Sequence, residues 1–165
     1  MLFRSAGSTG MVGSAILRYL NKKGYKNILA TKKSLLNLLD YNEVEKWFEL
    51  KKPDVVIIAA AKVGGIFANS NFPAEFLFEN LKIQSNLIEI AYRKNVKRLL
   101  FLGSSCIYPK FANQPISEEE LLTAPLEKTN ESYAIAKIAG IKLVEAFRKQ
   151  YGFDCIDRKS TRLNS

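Results

Sequence analysis

Gly7-Ser8-Thr9-Gly10-Met11-Val12-Gly13 forms a G-x-x-G-x-x-G turn. Before it, residues 1 to 6 can make a short strand. After it, residues 11 to 23 carry apolar side chains at helical spacing and end at Gly24. Glycines at such a junction allow a tight reversal and let backbone N–H groups approach a pyrophosphate, while the helix N-terminus adds positive potential. The same glycines could serve the turn alone, so the continuation of the chain decides what they mean.

That continuation alternates. Residues 27 to 31 suggest a second strand, and 42 to 51 a helix with Val44, Trp47 and Phe48 on its inward side. Residues 54 to 60, introduced by Pro53 and β-branched at their centre, make the clearest strand. A helix is expected from Pro73 or Ala74 to Lys94, with Phe76, Leu77, Asn80, Ile83, Leu87, Ile90 and Ala91 along one stripe. Residues 98 to 103 form a fourth strand, 132 to 150 a helix, and 153 to 156 the start of a further strand. Alternating strands and helices predict an α/β fold, a Rossmann-like doubly wound parallel sheet with helices on both faces. The connector from Ser105 to Asn130 holds Pro109, Pro115 and Pro125, and a connector of that length is expected to cover a ligand.

A chain of 165 residues, 47% hydrophobic, suits one domain with a sizeable core. The nucleotide-binding unit is expected over residues 1 to 156, incomplete at both ends. Residues 157 to 165 are polar and basic, lack a hydrophobic period and look foreign to the domain. Apolar runs are too short to span a bilayer and no signal-peptide layout opens the chain, so a cytoplasmic protein without membrane contact is expected. Cys106 and Cys155 are too few for a disulfide framework, and with no histidine a metal site is not expected. The net charge of +9 raises the question of nucleic acid. The basic residues come in ones and twos, several near predicted helix ends where cations suit the helix dipole, so no nucleic-acid partner is expected.

Chemistry enters with Tyr133 and Lys137, four apart and therefore on one helix face. A cation beneath the phenol would favour its ionised form, so Lys137 is expected to pull Tyr133 below its ordinary pKa of about 10 and make it a general acid. Ser104 follows the apolar run Leu99 to Leu102, at the carboxyl end of a strand, where open α/β sheets bind ligands. Beyond the second strand, where an NAD site places an acid, stand Thr31, Lys32, Lys33 and Ser34. Two lysines would attract a 2′-phosphate, so NADP(H) is expected over NAD(H).

Together these features resemble the extended short-chain dehydrogenase/reductase superfamily. Three longer stretches, 59 to 66 (AAAKVGGI), 102 to 110 (LGSSCIYPK) and 133 to 140 (YAIAKIAG), resemble its GDP-L-fucose synthase family. The resemblance implies 3,5-epimerisation and NADPH-dependent 4-reduction of GDP-4-keto-6-deoxy-D-mannose, a GDP-sugar substrate and a homodimer. It implies that Gly7, Gly10, Met11, Val12 and Gly13 hold the pyrophosphate and that Lys33, Asn37 and Leu38 meet the adenosine part. Leu102, Gly103 and Lys137 would complete the cofactor site. Ser104 would bind the C4 oxygen, Tyr133 protonate it, Lys137 bind the nicotinamide ribose, and Cys106 serve as epimerisation acid/base. Such enzymes are longer and carry a histidine partner for the cysteine. The chain therefore reads as an N-terminal part, truncated before the substrate-binding part and inactive alone. Two alternatives stay open: another nucleotide-sugar epimerase or dehydratase using bound NAD, and a non-catalytic nucleotide-binding module.

Overall fold

The computed structural model describes residues 2–158, without the side chains of Arg4, Lys33 and Arg158. Five parallel strands, β1 Phe3–Ala6, β2 Ile28–Leu29, β3 Val55–Ile58, β4 Arg98–Leu102 and β5 Cys155–Arg158, stand in the order β2-β1-β3-β4-β5. Their registers are regular: Arg4 faces Leu29 and Val56, Val56 faces Leu99, and Leu99 faces Cys155. The order reverses between β1 and β3. In an open parallel sheet such a reversal leaves a crevice beyond the carboxyl ends of those strands.

β3 is buried along its whole length, which explains its near-continuous apolar run. Its side chains alternate between two cores. Val55 and Ile57 join Phe3 and Leu20 beneath helix α1, Met11–Lys22. Val56 and Ile58 join the larger core under α2 Tyr41–Lys51, α4 Pro73–Arg93 and α5 Glu131–Tyr151, with the short α3 Ile66–Asn71 leading into α4. Helices therefore cover both faces, as the alternation predicts. Local chemistry sets their ends: the Asp40 carboxylate accepts from the Glu43 N–H at the start of α2, and Pro73 opens α4. Gly152, at φ +63, follows the end of α5.

β2 is only two residues long, where five were expected. It is an edge strand with β1 as its one neighbour in the sheet, and it pairs with β1 only at Phe3 and Arg4, while β1 runs on to Ala6 beside β3. The carbonyl of Thr31, past the strand, accepts from the Ser8 hydroxyl at 3.4 Å instead of a ladder partner. At the other edge β5 takes in Asp157 and Arg158, opposite Phe101 and Leu102. Two residues of the segment that composition sets apart thus lie in the sheet; the rest of it lies outside the described residues.

The long connector does not simply lie over the crevice. Its beginning and end, Ser105, Cys106 and Asn130, line the crevice. Its interior packs on the larger core through Ile107, Tyr108, Ile116, Leu121 and Leu126. Apolar side chains spaced through the connector explain the difference, since burying them against the sheet layer stabilises it more than arching over solvent would.

Candidate active site

Beyond the carboxyl ends of β1, β3 and β4 opens a cavity of about 990 Å³. One end is made of backbone. Gly7 has φ +83, and a Cβ there would stand 2.6 Å from the Ala60 nitrogen and 2.7 Å from the Ala59 carbonyl oxygen. A Cβ on Gly13 would stand 2.1 Å from the Gly7 carbonyl oxygen, so the first turn of α1 can rest on the glycine turn only if position 13 is bare. Gly10 differs: its nearest neighbour would be at 3.4 Å, an ordinary contact. Packing does not require a glycine there, and its missing side chain leaves room on the cavity side. The first N–H groups of α1, at Met11, Val12 and Gly13, have no partner within their own helix. Bare backbone, free N–H groups and a helix N-terminus facing a cavity fit a dinucleotide pyrophosphate.

Asn37 and Leu38 line the same cavity with Leu36 and Leu39. Asn86, buried in α4, donates to the Leu38 carbonyl at 2.9 Å and holds this segment to that helix. Lys33 opens a one-turn 3-10 helix, Lys33–Leu35, and its side chain lies outside the described residues.

The other end is made of side chains. Ser104, Cys106 and Tyr133 line the cavity wall. The Cys106 thiol donates to the Ser104 hydroxyl at 3.2 Å. Burial pushes this thiol up, while the Ser104 hydrogen bond and the charge of Lys137 pull the other way. Leu102, Gly103 and Lys137 are not on the cavity lining but directly behind it. The Lys137 Nζ donates to the Leu102 carbonyl at 2.9 Å.

Here the structure corrects an expectation. Lys137 does not acidify Tyr133. Burial pushes the phenol up to about 12, the neighbouring Cys106 adds to the rise, and a Ser104 hydrogen bond only partly opposes it. Lys137 is itself brought down to about 8 by burial, with Cys106 acting in the opposite direction. The one-turn spacing does put the two groups on one face, but the ammonium lies 5.9 Å from the Tyr133 ring centroid and is hydrogen-bonded to backbone. Desolvation acts on both groups and outweighs their mutual attraction.

Several polar residues at this site were not singled out from sequence. Asn80, 2% exposed, sits in the apolar stripe of α4, and its carboxamide makes a two-way bridge to the backbone of Lys62. The Lys62 N–H donates to Asn80 Oδ1 at 2.8 Å, and Asn80 Nδ2 donates to the Lys62 carbonyl at 3.0 Å. This fixes residues 59 to 65, which form one wall of the cavity. The signal was visible as a polar residue at a core position of an otherwise apolar stripe. Asn69 and Asn130 also line the cavity, and the buried Oδ1 of each has no partner among the described residues. Lys62 pairs with Glu75 and, at 2.6 Å, with Glu79, which closes that wall.

A glycine cradle at the reversal point of a parallel sheet, with serine, tyrosine and lysine at its far end, is the architecture of a dinucleotide-binding α/β protein. Residues 6–159 match the NAD dependent epimerase/dehydratase family, and the chain belongs to it. It is 57% identical over 158 residues to a GDP-L-fucose synthase of Sinorhizobium fredii, covering 96% of this chain and 50% of that protein. It is 56% identical to GDP-L-fucose synthase 1 of Arabidopsis thaliana, covering 96% of this chain and 49% of that protein. Among solved structures, a GDP-D-glycero-L-gluco-heptose synthase of Campylobacter jejuni, determined in the presence of NADPH, superposes with a TM-score of 0.91 at 36% identity. That superposition covers 95% of this chain and 46% of the other. The chain spans about half the length of the curated relatives it matches. No helix among the described residues is long and apolar enough to cross a membrane.

Proposed function

We propose that this chain is the nucleotide-binding part of an NADPH-dependent GDP-sugar epimerase/reductase that makes GDP-L-fucose from GDP-4-keto-6-deoxy-D-mannose. One observation carries the reading: Ser104, Cys106 and Tyr133 converge on the wall of a cavity whose other end is the Gly7–Gly13 cradle. The high identity to GDP-L-fucose synthases and the NADPH-containing heptose synthase structure support the substrate class and the cofactor.

In this reading Gly7, Gly10, Met11, Val12 and Gly13 hold the pyrophosphate, and Lys33, Asn37 and Leu38 meet the adenosine end. Leu102, Gly103 and Lys137 meet the nicotinamide end. The bound cofactor supplies the hydride for reduction at C4. Ser104 donates a hydrogen bond to the C4 oxygen, and Tyr133, protonated throughout the physiological range because its pKa is about 12, gives the proton that completes the hydroxyl. Lys137 holds the ribose and, as a nearby cation, supports the charge that the phenol develops while giving up its proton. Cys106 exchanges protons at the carbons flanking the ketone, whose C–H bonds the carbonyl acidifies. The unit, expected over residues 1–156, runs on through β5 to Arg158, acts in the cytoplasm and dimerises through α4 and α5, where Phe78 (63% exposed) and Ile135 (44% exposed) offer apolar surface.

The test uses a full-length counterpart given NADPH and the keto sugar. Tyr133→Phe lowers the rate of NADPH oxidation by about 10²- to 10⁴-fold and leaves deuterium incorporation at C3 and C5 in place. Reduction at the parental rate would remove the proton-donor role. A second reading, reduction of a different GDP-keto sugar, is favoured by the similarity to the heptose synthase. Mass spectrometry of the product separates the two.

A further inference from the structure

Lys137 is 4% exposed, and among the described residues its ammonium donates to one acceptor, the Leu102 carbonyl. No ion pair to a carboxylate is found for it among the described residues. The titratable groups that face it are the Cys106 thiol, from the segment after β4, and the Tyr133 phenol on its own helix. From α4 the group reaching this level is the neutral Gln84, whose Nε2 donates to the Ala136 carbonyl at 2.7 Å. A buried cation with so few polar partners needs another source of negative potential. The ring of Phe101 provides one: Lys137 Nζ lies 4.7 Å from its centroid, within cation–π range and closer than to the Tyr133 ring.

That ring is there because α5 makes room for it. Phe101 is fully buried in β4, and a Cβ on Gly140 would stand 2.4 Å from its Cζ and 2.8 Å from Gln84 Oε1. Gly140 lies three residues beyond Lys137, so the same helical stretch supplies the ammonium and the gap for the ring beside it. We propose that Phe101 is a positioning residue: seated in the space left by Gly140, its aromatic face holds the Lys137 ammonium in its charged form against the Leu102 carbonyl. An aliphatic residue of similar size would fill the core at this place but leave the cation with backbone alone. The proposal concerns the charge on Lys137; its importance for turnover rests on the function proposed above.

A direct readout of Lys137 separates the two. With ¹³C-labelled lysine, the Cε signal that disappears in Lys137→Arg reports its titration by NMR. Replacing Phe101 by mono-, di- and trifluorophenylalanine weakens the negative ring face at nearly constant shape. The titration midpoint falls stepwise along the series, by about one pH unit at the most fluorinated member, and Phe101→Leu falls at least as far. A midpoint that stays flat across the fluorinated series would overturn the proposal whatever the activity of the enzyme. A stepwise fall with turnover unchanged would keep it and count against the catalytic reading of Lys137.

Discussion

At the glycine turn the protein offers its cavity bare backbone: Gly7 and Gly13 exclude side chains by contact, and Gly10 leaves open room. At the far end of the same cavity it offers Ser104, Cys106 and Tyr133, with Lys137 behind them, and all three titratable groups are displaced by burial. The first region leaves the first N–H groups of a helix without partners in that helix. The second desolvates its own titratable groups. Steric exclusion dominates one region and dielectric environment the other, so the two should fail differently when altered.

The largest effect is expected at Gly13. An alanine would press on the Gly7 carbonyl, a backbone atom that cannot step aside. Gly13→Ala should cost about 3–5 kcal/mol of stability and abolish cofactor binding; a urea midpoint equal to the parent's would refute the steric account. Asn80→Leu comes next. It strands the Lys62 N–H and carbonyl behind the cavity wall, at a cost of about 2–3 kcal/mol, and hydrogen exchange should speed up at residues 61 to 65 before it does in β3.

The third prediction tests burial of charge. Burial brings the folded pKa of Lys137 down to about 8 from its ordinary value of 10.5. Below pH 8 both states are protonated and the folded state carries the full cost of the buried cation. As pH rises from 8 towards 10.5 the unfolded state binds more protons, and that cost is relieved. Lys137→Met should therefore be more stable than the parent at pH 7, with the gap narrowing by about 1–2 kcal/mol by pH 9.5. A gap that stays constant between those pH values would contradict the burial account. The smallest structural effect is expected at Gly10. Gly10→Ala should change stability by less than about 0.5 kcal/mol yet weaken NADPH binding measurably, which separates ligand room from packing within one motif.

Much of this arrangement was legible beforehand. The glycine turn, the apolar run of β3 and the stripe of α4 are local patterns, and each appeared where its period placed it. Ser104, Cys106, Tyr133 and the glycines were legible through motif spacing and resemblance. The interior of the long connector was not, because whether its scattered apolar residues cover a ligand or join the core depends on which surface lies beneath them. Asn80 was counted as one member of an apolar stripe, since its partner, the backbone of Lys62, is eighteen residues away in sequence. The mutual influence of Tyr133 and Lys137 was misjudged for a related reason. Helical spacing reports which face a residue occupies, not how much solvent that face has lost.

By itself, the sequence determined the alternation of strands and helices, the place of the glycine turn and the identity of the serine, cysteine and tyrosine that meet at the cavity wall, because these follow from short-range periodicity and motif spacing. Only the tertiary structure decided the direction of the pKa shifts, the seat of the Lys137 ammonium on Phe101 and the two-way clamp of Asn80. Those depend on low-dielectric surroundings and on contacts between segments far apart in the chain, which exist only once the sheet and its helices have closed over them.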